Sequence, residues 1–137
     1  MGLLDRLLDL VKKRETPGLS AGAPDLKIVA EAFDPVVADS AVLAGSPAWV
    51  STAPAVLRHH LLLPPDRLAE AASTLAQDGY ELREQGLSGD LARVHAVRVQ
   101  VLDALHCAQE RSRMAGLAQR LGGDALGWDA LQPEAPA

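Results

Sequence analysis

Hydrophobic positions change their spacing several times along the chain. In the first fifteen residues Leu3, Leu7, Leu10 and Val11 share one helical face, widened by Leu4 and Leu8, while Asp5, Arg6, Asp9, Lys12 and Lys13 fall mostly elsewhere. This spacing predicts an amphipathic helix over residues 1–15. Residues 16–24, TPGLSAGAP, have no period and are rich in Pro, Gly and Ser, which predicts a flexible linker. Residues 25–55 are ambiguous. LKIVAEAF fits a strand or a helix, Pro35, Pro47 and Pro54 divide the stretch, and it enters as an N-terminal extension of open structure.

From Val56 the pattern sharpens. VLRHHLLL, residues 56–63, predicts a strand, which Pro64 and Pro65 end while presetting a helix start. Leu68, Ala71, Ala72, Leu75 and Ala76 then recur at helical spacing, with Asp66 and Glu70 at the positive end and Gly79 at the stop. YELRE, residues 80–84, and LARVHAVRVQVL, residues 91–102, predict a hairpin turned by QGLSGD. Asp103 is placed to cap a helix with Cys107, Met114, Leu117, Ala118 and Leu121 on one face, and Gly122 and Gly123 end it. ALGWDAL, residues 125–131, supplies a last strand, and 133–137 form a tail.

Residues 56–132 therefore read strand, helix, strand, strand, helix, strand. The expectation is an α+β, ferredoxin-like domain, with both helices on one face of a four-stranded antiparallel sheet and the other face open. Strand alternation sends His59 toward the helices with Leu57, Leu61 and Leu63, and Arg58, His60 and Leu62 to the open face. In the same register Arg98 and Gln100 join Arg58 and His60 there, as candidate contacts for a partner. Trp128 is either the core anchor of the last strand or an exposed binding anchor.

Composition narrows the chemistry. The chain is 48% hydrophobic, yet its aromatics are only Phe33, Trp49, Tyr80 and Trp128, so the core must be mainly Leu, Val and Ala. A net charge of −5 works against phosphate backbones, and the third strand of the pattern has no aromatic on which a base could stack, so no direct nucleic-acid contact is expected. His59 and His60 point to opposite faces and cannot readily chelate one ion. His95 could approach either from a neighbouring strand, but no cysteine or paired carboxylate stands at ligand spacing, so neither a metal nor a cofactor is expected. The single Cys107 sits on an apolar helical stripe as a small hydrophobe and forms no intrachain disulfide, which fits a reducing cytoplasm. Asp78, Glu81 and Glu84 read as a solvated edge, Gly122 and Gly123 end a helix where a phosphate loop would begin one, and no catalytic residue is expected. No apolar run approaches a membrane span. The N-terminal helix could dock on its own domain, bind a partner, or rest on a membrane, the last disfavoured by the small basic cluster Lys12, Lys13 and Arg14.

Taken together, RHHLLLPPDRLAEAASTLAQDGYEL, SGD before a long strand, a helix ending in LAQRLGG and the terminal GW resemble the regulator of ribonuclease E activity B family, RraB. The resemblance covers residues 56–131 and is carried by His59, His60, Gly79, Tyr80, Gly89, Asp90, Gly127 and Trp128. It implies a ferredoxin-like, non-catalytic protein that binds the endoribonuclease RNase E and reduces its cleavage of RNA. The chain departs from the family at Ala125 and Leu126, where Tyr and Asp are frequent, and in its N-terminal helix and linker. The alternative function is an adaptor that docks on a membrane or a large complex through that helix.

Overall fold

The computed structural model describes residues 19–134. The expected helix of residues 1–15 and the end of the tail lie outside the described residues. The elements are β1 (Leu26–Ala32), α1 (Asp39–Ala44), β2 (Pro54–Leu63), a 3-10 turn (Pro65–Arg67), α2 (Leu68–Ala76), β3 (Glu81–Ser88), β4 (Leu91–Val101), α3 (Ala104–Leu121) and β5 (Asp124–Pro133).

The protein is α+β, with one antiparallel sheet in the order β1-β5-β2-β4-β3. The expected four-stranded sheet is thus corrected to five strands, and the described residues hold three helices where residues 56–132 led to the expectation of two. Both additions come from the stretch that sequence left open. β1 is an edge strand paired only with β5, and a register shift between Ile28 and Ala30 breaks the alternation that would have marked it as a strand. α1 has six residues and no side-chain cap, too short for a helical period to show. Residues 19–24 of the expected linker are held against the sheet: Leu19 is buried and packs with Val56 and Val97.

β2 is the central strand, and its pleat divides the molecule. Leu61 and Leu63 meet Ala71 and Leu75 of α2 and Met114, Leu117, Ala118 and Leu121 of α3. Ala55 and Leu57 meet Leu43 of α1, Cys107 of α3, and Trp128 and Ala130 of β5. Both long helices therefore cover one face, as expected. Asp103 caps α3 by accepting from the His106 N–H at 2.8 Å, and Gly122 closes it in the left-handed conformation at φ 87°.

β5 carries the main irregularity. Its pairing with β2 shifts between His60 and Leu61, which oppose Gly127 and Ala125, so Leu126 is the extra residue of a bulge. Gly127 has φ 140°, and a Cβ there would lie 2.2 Å from the Ala32 carbonyl oxygen and 2.8 Å from Phe33 Cδ1. Gly116, within α3, has open space around it. Gly127→Ala is expected to destabilise by about 2 kcal/mol or more, and Gly116→Ala to stabilise by up to about 1 kcal/mol. Urea unfolding of the two variants against the parent checks both signs.

Candidate functional site

The face opposite α2 and α3 carries a polar cluster built by strand register. β2 sets Arg58 opposite Asp129 of β5, and His60 between Gly127 of β5 and His95 of β4. Asp129 is 2% exposed. Arg58 grips it with both arms, Nε donating to Oδ1 at 2.7 Å and Nη2 to Oδ2 at 2.6 Å. His60 Nε2 lies 3.1 Å from the same Oδ2 but without hydrogen-bond alignment, so it contributes an electrostatic contact only. The His60 ring rests on His95, with centroids 4.1 Å apart, and meets the edge of Phe33 at 4.9 Å. Phe33 reaches it because Gly127 presents no side chain between them.

The electrostatics follow from this packing. Burial alone would raise the Asp129 pKa, but the bonds from Arg58 and the nearby His60 overcome it and hold the carboxyl at about 2. Burial, followed by the nearby His60 and Arg58, lowers His95 to about 4. Beside the cluster is an open cavity of about 210 Å3 whose lining includes Arg58, Arg83, Gln85, His95, Val97 and Leu131. With both oxygens engaged, Asp129 serves as the fixed half of an ion pair and is poorly placed to act as a base. The arrangement presents an ordered polar surface beside a groove, which suits recognition.

Of the residues singled out from sequence, Arg58 and His60 stand here on the open face. Arg98 and Gln100 do not, and their expected placement is corrected. In the antiparallel register His60 pairs with His95, so Leu57 pairs with Arg98 and Ala55 with Gln100, which puts both on the helix-covered face. There the Arg98 guanidinium lies 4.2 Å from the centre of the Tyr80 ring, and it donates to the Asp78 carbonyl and to Gln100 Oε1, each at 2.8 Å. Tyr80 donates to Glu110 of α3 at 2.9 Å, and Arg113 bonds both Glu110 and Asp78. This network ties the ends of α2 and β3 to α3.

Trp128 also faces the helices, fully buried, and its indole N–H donates to Asp39 Oδ1 at 3.1 Å. Of its two readings, the core anchor is the one that matches its burial. His59 faces the helices as expected, 1% exposed with its ring against the edge of Tyr80. Burial, then Arg98 and His60, hold it neutral with a pKa of about 3. Burial and the nearby Asp39 push the Cys107 thiol up to about 12.

Asp129, Phe33 and Arg83 were missed by sequence reasoning. Asp129 had a usable signal: once Trp128 faces the core, alternation sends its neighbour outward, toward Arg58 on the adjacent strand. Phe33 had none, because its segment carried no clear period.

Among the described residues, no three His, Cys, Asp or Glu side chains gather where they could hold a metal ion, and no helix is long and apolar enough to cross a membrane. No family model, curated protein or solved structure matches the chain.

The shifted groups give stability a definite pH dependence. His59 and His95 have folded pKa values below the unfolded 6.5, so their contribution is complete above about pH 6.5 and is lost as pH falls toward 4 and 3. Asp129, lowered from 3.8 to about 2, contributes above about pH 4 and loses its contribution as pH falls through 2. Asp129→Asn is expected to cost about 3 kcal/mol at pH 7, because Arg58 keeps its burial and loses its counter-charge. Urea unfolding at pH 7, 5.5 and 4.5 should show the histidine-driven decline in both the parent and Asp129→Asn, and a smaller decline in His59→Phe.

Proposed function

We propose that the chain is a protein-binding regulator that acts in the cytoplasm on an endoribonuclease of the RNase E type, or on the assembly around it, without performing chemistry itself. In this reading β2 to β5 with α2 and α3 form a ferredoxin-like unit of the RraB kind, and β1 and α1 are an added edge. The observation that carries it is the open sheet face, where the Arg58–Asp129 pair, 2.6 Å apart at its shortest, fixes His60 and His95 beside a groove.

Several features support it. Gly79, Gly89 and Gly127, three of the residues on which the resemblance rests, adopt positive φ at turns or at the bulge, as residues serving a shared backbone would. The groups that most resemble catalysts are held in unreactive states: Cys107 as a thiol, His59 as a buried neutral ring, and Asp129 saturated by Arg58. Regulation by docking needs an ordered surface and no such group.

Titrating the purified chain into an RNase E cleavage assay, with affinity measured in parallel, tests the reading. Cleavage should fall as binding saturates. Arg83→Glu alters a groove residue whose side chain is 38% exposed, and should weaken binding roughly 10-fold with unchanged thermal unfolding. Absence of both binding and any change in cleavage at high excess would sink the proposal.

A further inference from the structure

The groove on the open sheet face has a lining of one charge sign. It carries two arginines, Arg58 and Arg83, with Gln85 and His95, and among the described residues no Asp or Glu. His95 is neutral at pH 7, its pKa being held at about 4, so the arginines supply all of the lining's charge. Arg93 adds to it from the same face. Strand pairing sets it opposite Leu62 of β2 and Gly86 of β3, two residues from His95, and it is exposed.

Both lining arginines reach solvent and keep donors in reserve. Arg58 spends Nε and Nη2 on Asp129, which leaves Nη1, and its side chain is 26% exposed. Arg83 bonds Glu81 through Nη2 alone, at 3.2 Å, and those two side chains are 38% and 68% exposed. A pair so open to water contributes little. Arg83 can therefore exchange Glu81 for another carboxylate at small cost.

Size and charge restrict the occupant. Pockets for whole small-molecule ligands start at roughly 300 Å3, whereas this groove, of about 210 Å3, is sized for a single side chain. Ala21, Leu26 and Leu131 form a partly exposed apolar wall, which suits an aliphatic neighbour of that side chain. Arg58, Arg83 and Arg93 stand against Asp129 and Glu81, a surplus of one positive charge. Glu31 of β1 pairs with Asp129 on the side away from Arg58 and does not line the groove. One carboxylate satisfies that surplus, and a phosphate dianion would exceed it. The planar fork of arginine also matches the two oxygens of a carboxylate.

We propose that the groove is the pocket for one acidic side chain of the partner polypeptide, its carboxylate held between Arg58 Nη1 and Arg83, with a flanking aliphatic residue on Leu26 and Leu131. The inference rests on the reading of this face as the docking surface and gives that surface its chemistry.

The probe is the peptide GLELG, acetylated and amidated at its ends, titrated into the 15N-labelled full chain. Its uncharged counterpart GLQLG and inorganic phosphate are titrated separately. Saturable shifts are expected with GLELG at the amides of Arg58, Arg83, Gln85 and His95, with GLQLG bound roughly 10-fold more weakly and phosphate more weakly than GLELG. Arg83→Gln should lower GLELG affinity roughly 5-fold and leave both GLQLG binding and thermal unfolding unchanged. The proposal is overturned if GLELG gives no saturable shift at those amides, or if GLQLG binds as tightly. It is also overturned if phosphate binds more tightly at the same amides, or if Arg83→Gln binds GLELG as the parent does. The cleavage assay separates this pocket from the choice of nuclease. Inhibition of RNase E without GLELG binding sinks the acidic pocket alone, whereas GLELG binding without any binding or inhibition of RNase E sinks the nuclease and keeps the pocket.

Discussion

A carboxylate buried as fully as Asp129 would cost several kcal/mol if left unpaired, and the twin hydrogen bonds from Arg58 offset that cost only while β2 and β5 keep one register. Much of the architecture follows from this constraint. With Asp129 on the open face, its neighbours Trp128 and Ala130 must face the helices. Trp128 then reaches Asp39 at the start of α1, and Asp39 accepts from Arg111 of α3. A second carboxylate buried at 6% exposure is thereby matched to a second arginine on the other side of the same strand. β5 is thus tied to the central strand by one ion pair and, through Trp128, to a second that joins the added helix to the longest helix.

The two faces of the sheet use polar groups differently. On the helix-covered face Arg98, Tyr80, Glu110 and Arg113 close on one another and hold elements together. On the open face the cluster ends at a groove, where Arg83 and His95 still have surface to offer. His59 belongs to neither network, and its Nε2, like Trp49 Nε1, is buried without a hydrogen-bond partner among the described residues. The bulge at Leu126 contributes to both faces. It leaves Gly127 bare for Phe33 to reach His60, and it brings Leu126 to the rim of a cavity of about 200 Å3 lined also by Arg111, Met114 and Ala115 of α3.

Sequence patterning was reliable where the period was long or the stop signals were strong. The strand at VLRHHLLL, the helix closed by Gly79, the hairpin and the Asp103 cap all appear within a few residues of their expected positions. It was weakest over residues 25–55, where a register shift and a six-residue helix give too little period to read. The opposite sides of His59 and His60 were legible, because alternation within one strand is local. The sides of Arg98 and Gln100 were not, because β4 is apolar on both faces: Val94 and Ala96 pack under the helices while Val97 packs under Leu19.

By itself, then, the sequence determined the order of the elements from Val56 onward, their ends, and which side chains share a face within each strand. Those properties follow from backbone sterics and from spacing over a few residues. Only the tertiary structure decided how the strands register against one another, that β1 completes the sheet, and that Asp129 meets Arg58 across 71 residues of sequence. Pairing between strands depends on distant side chains finding partners for buried charge, and no local pattern encodes which face of β4 will oppose which face of β2.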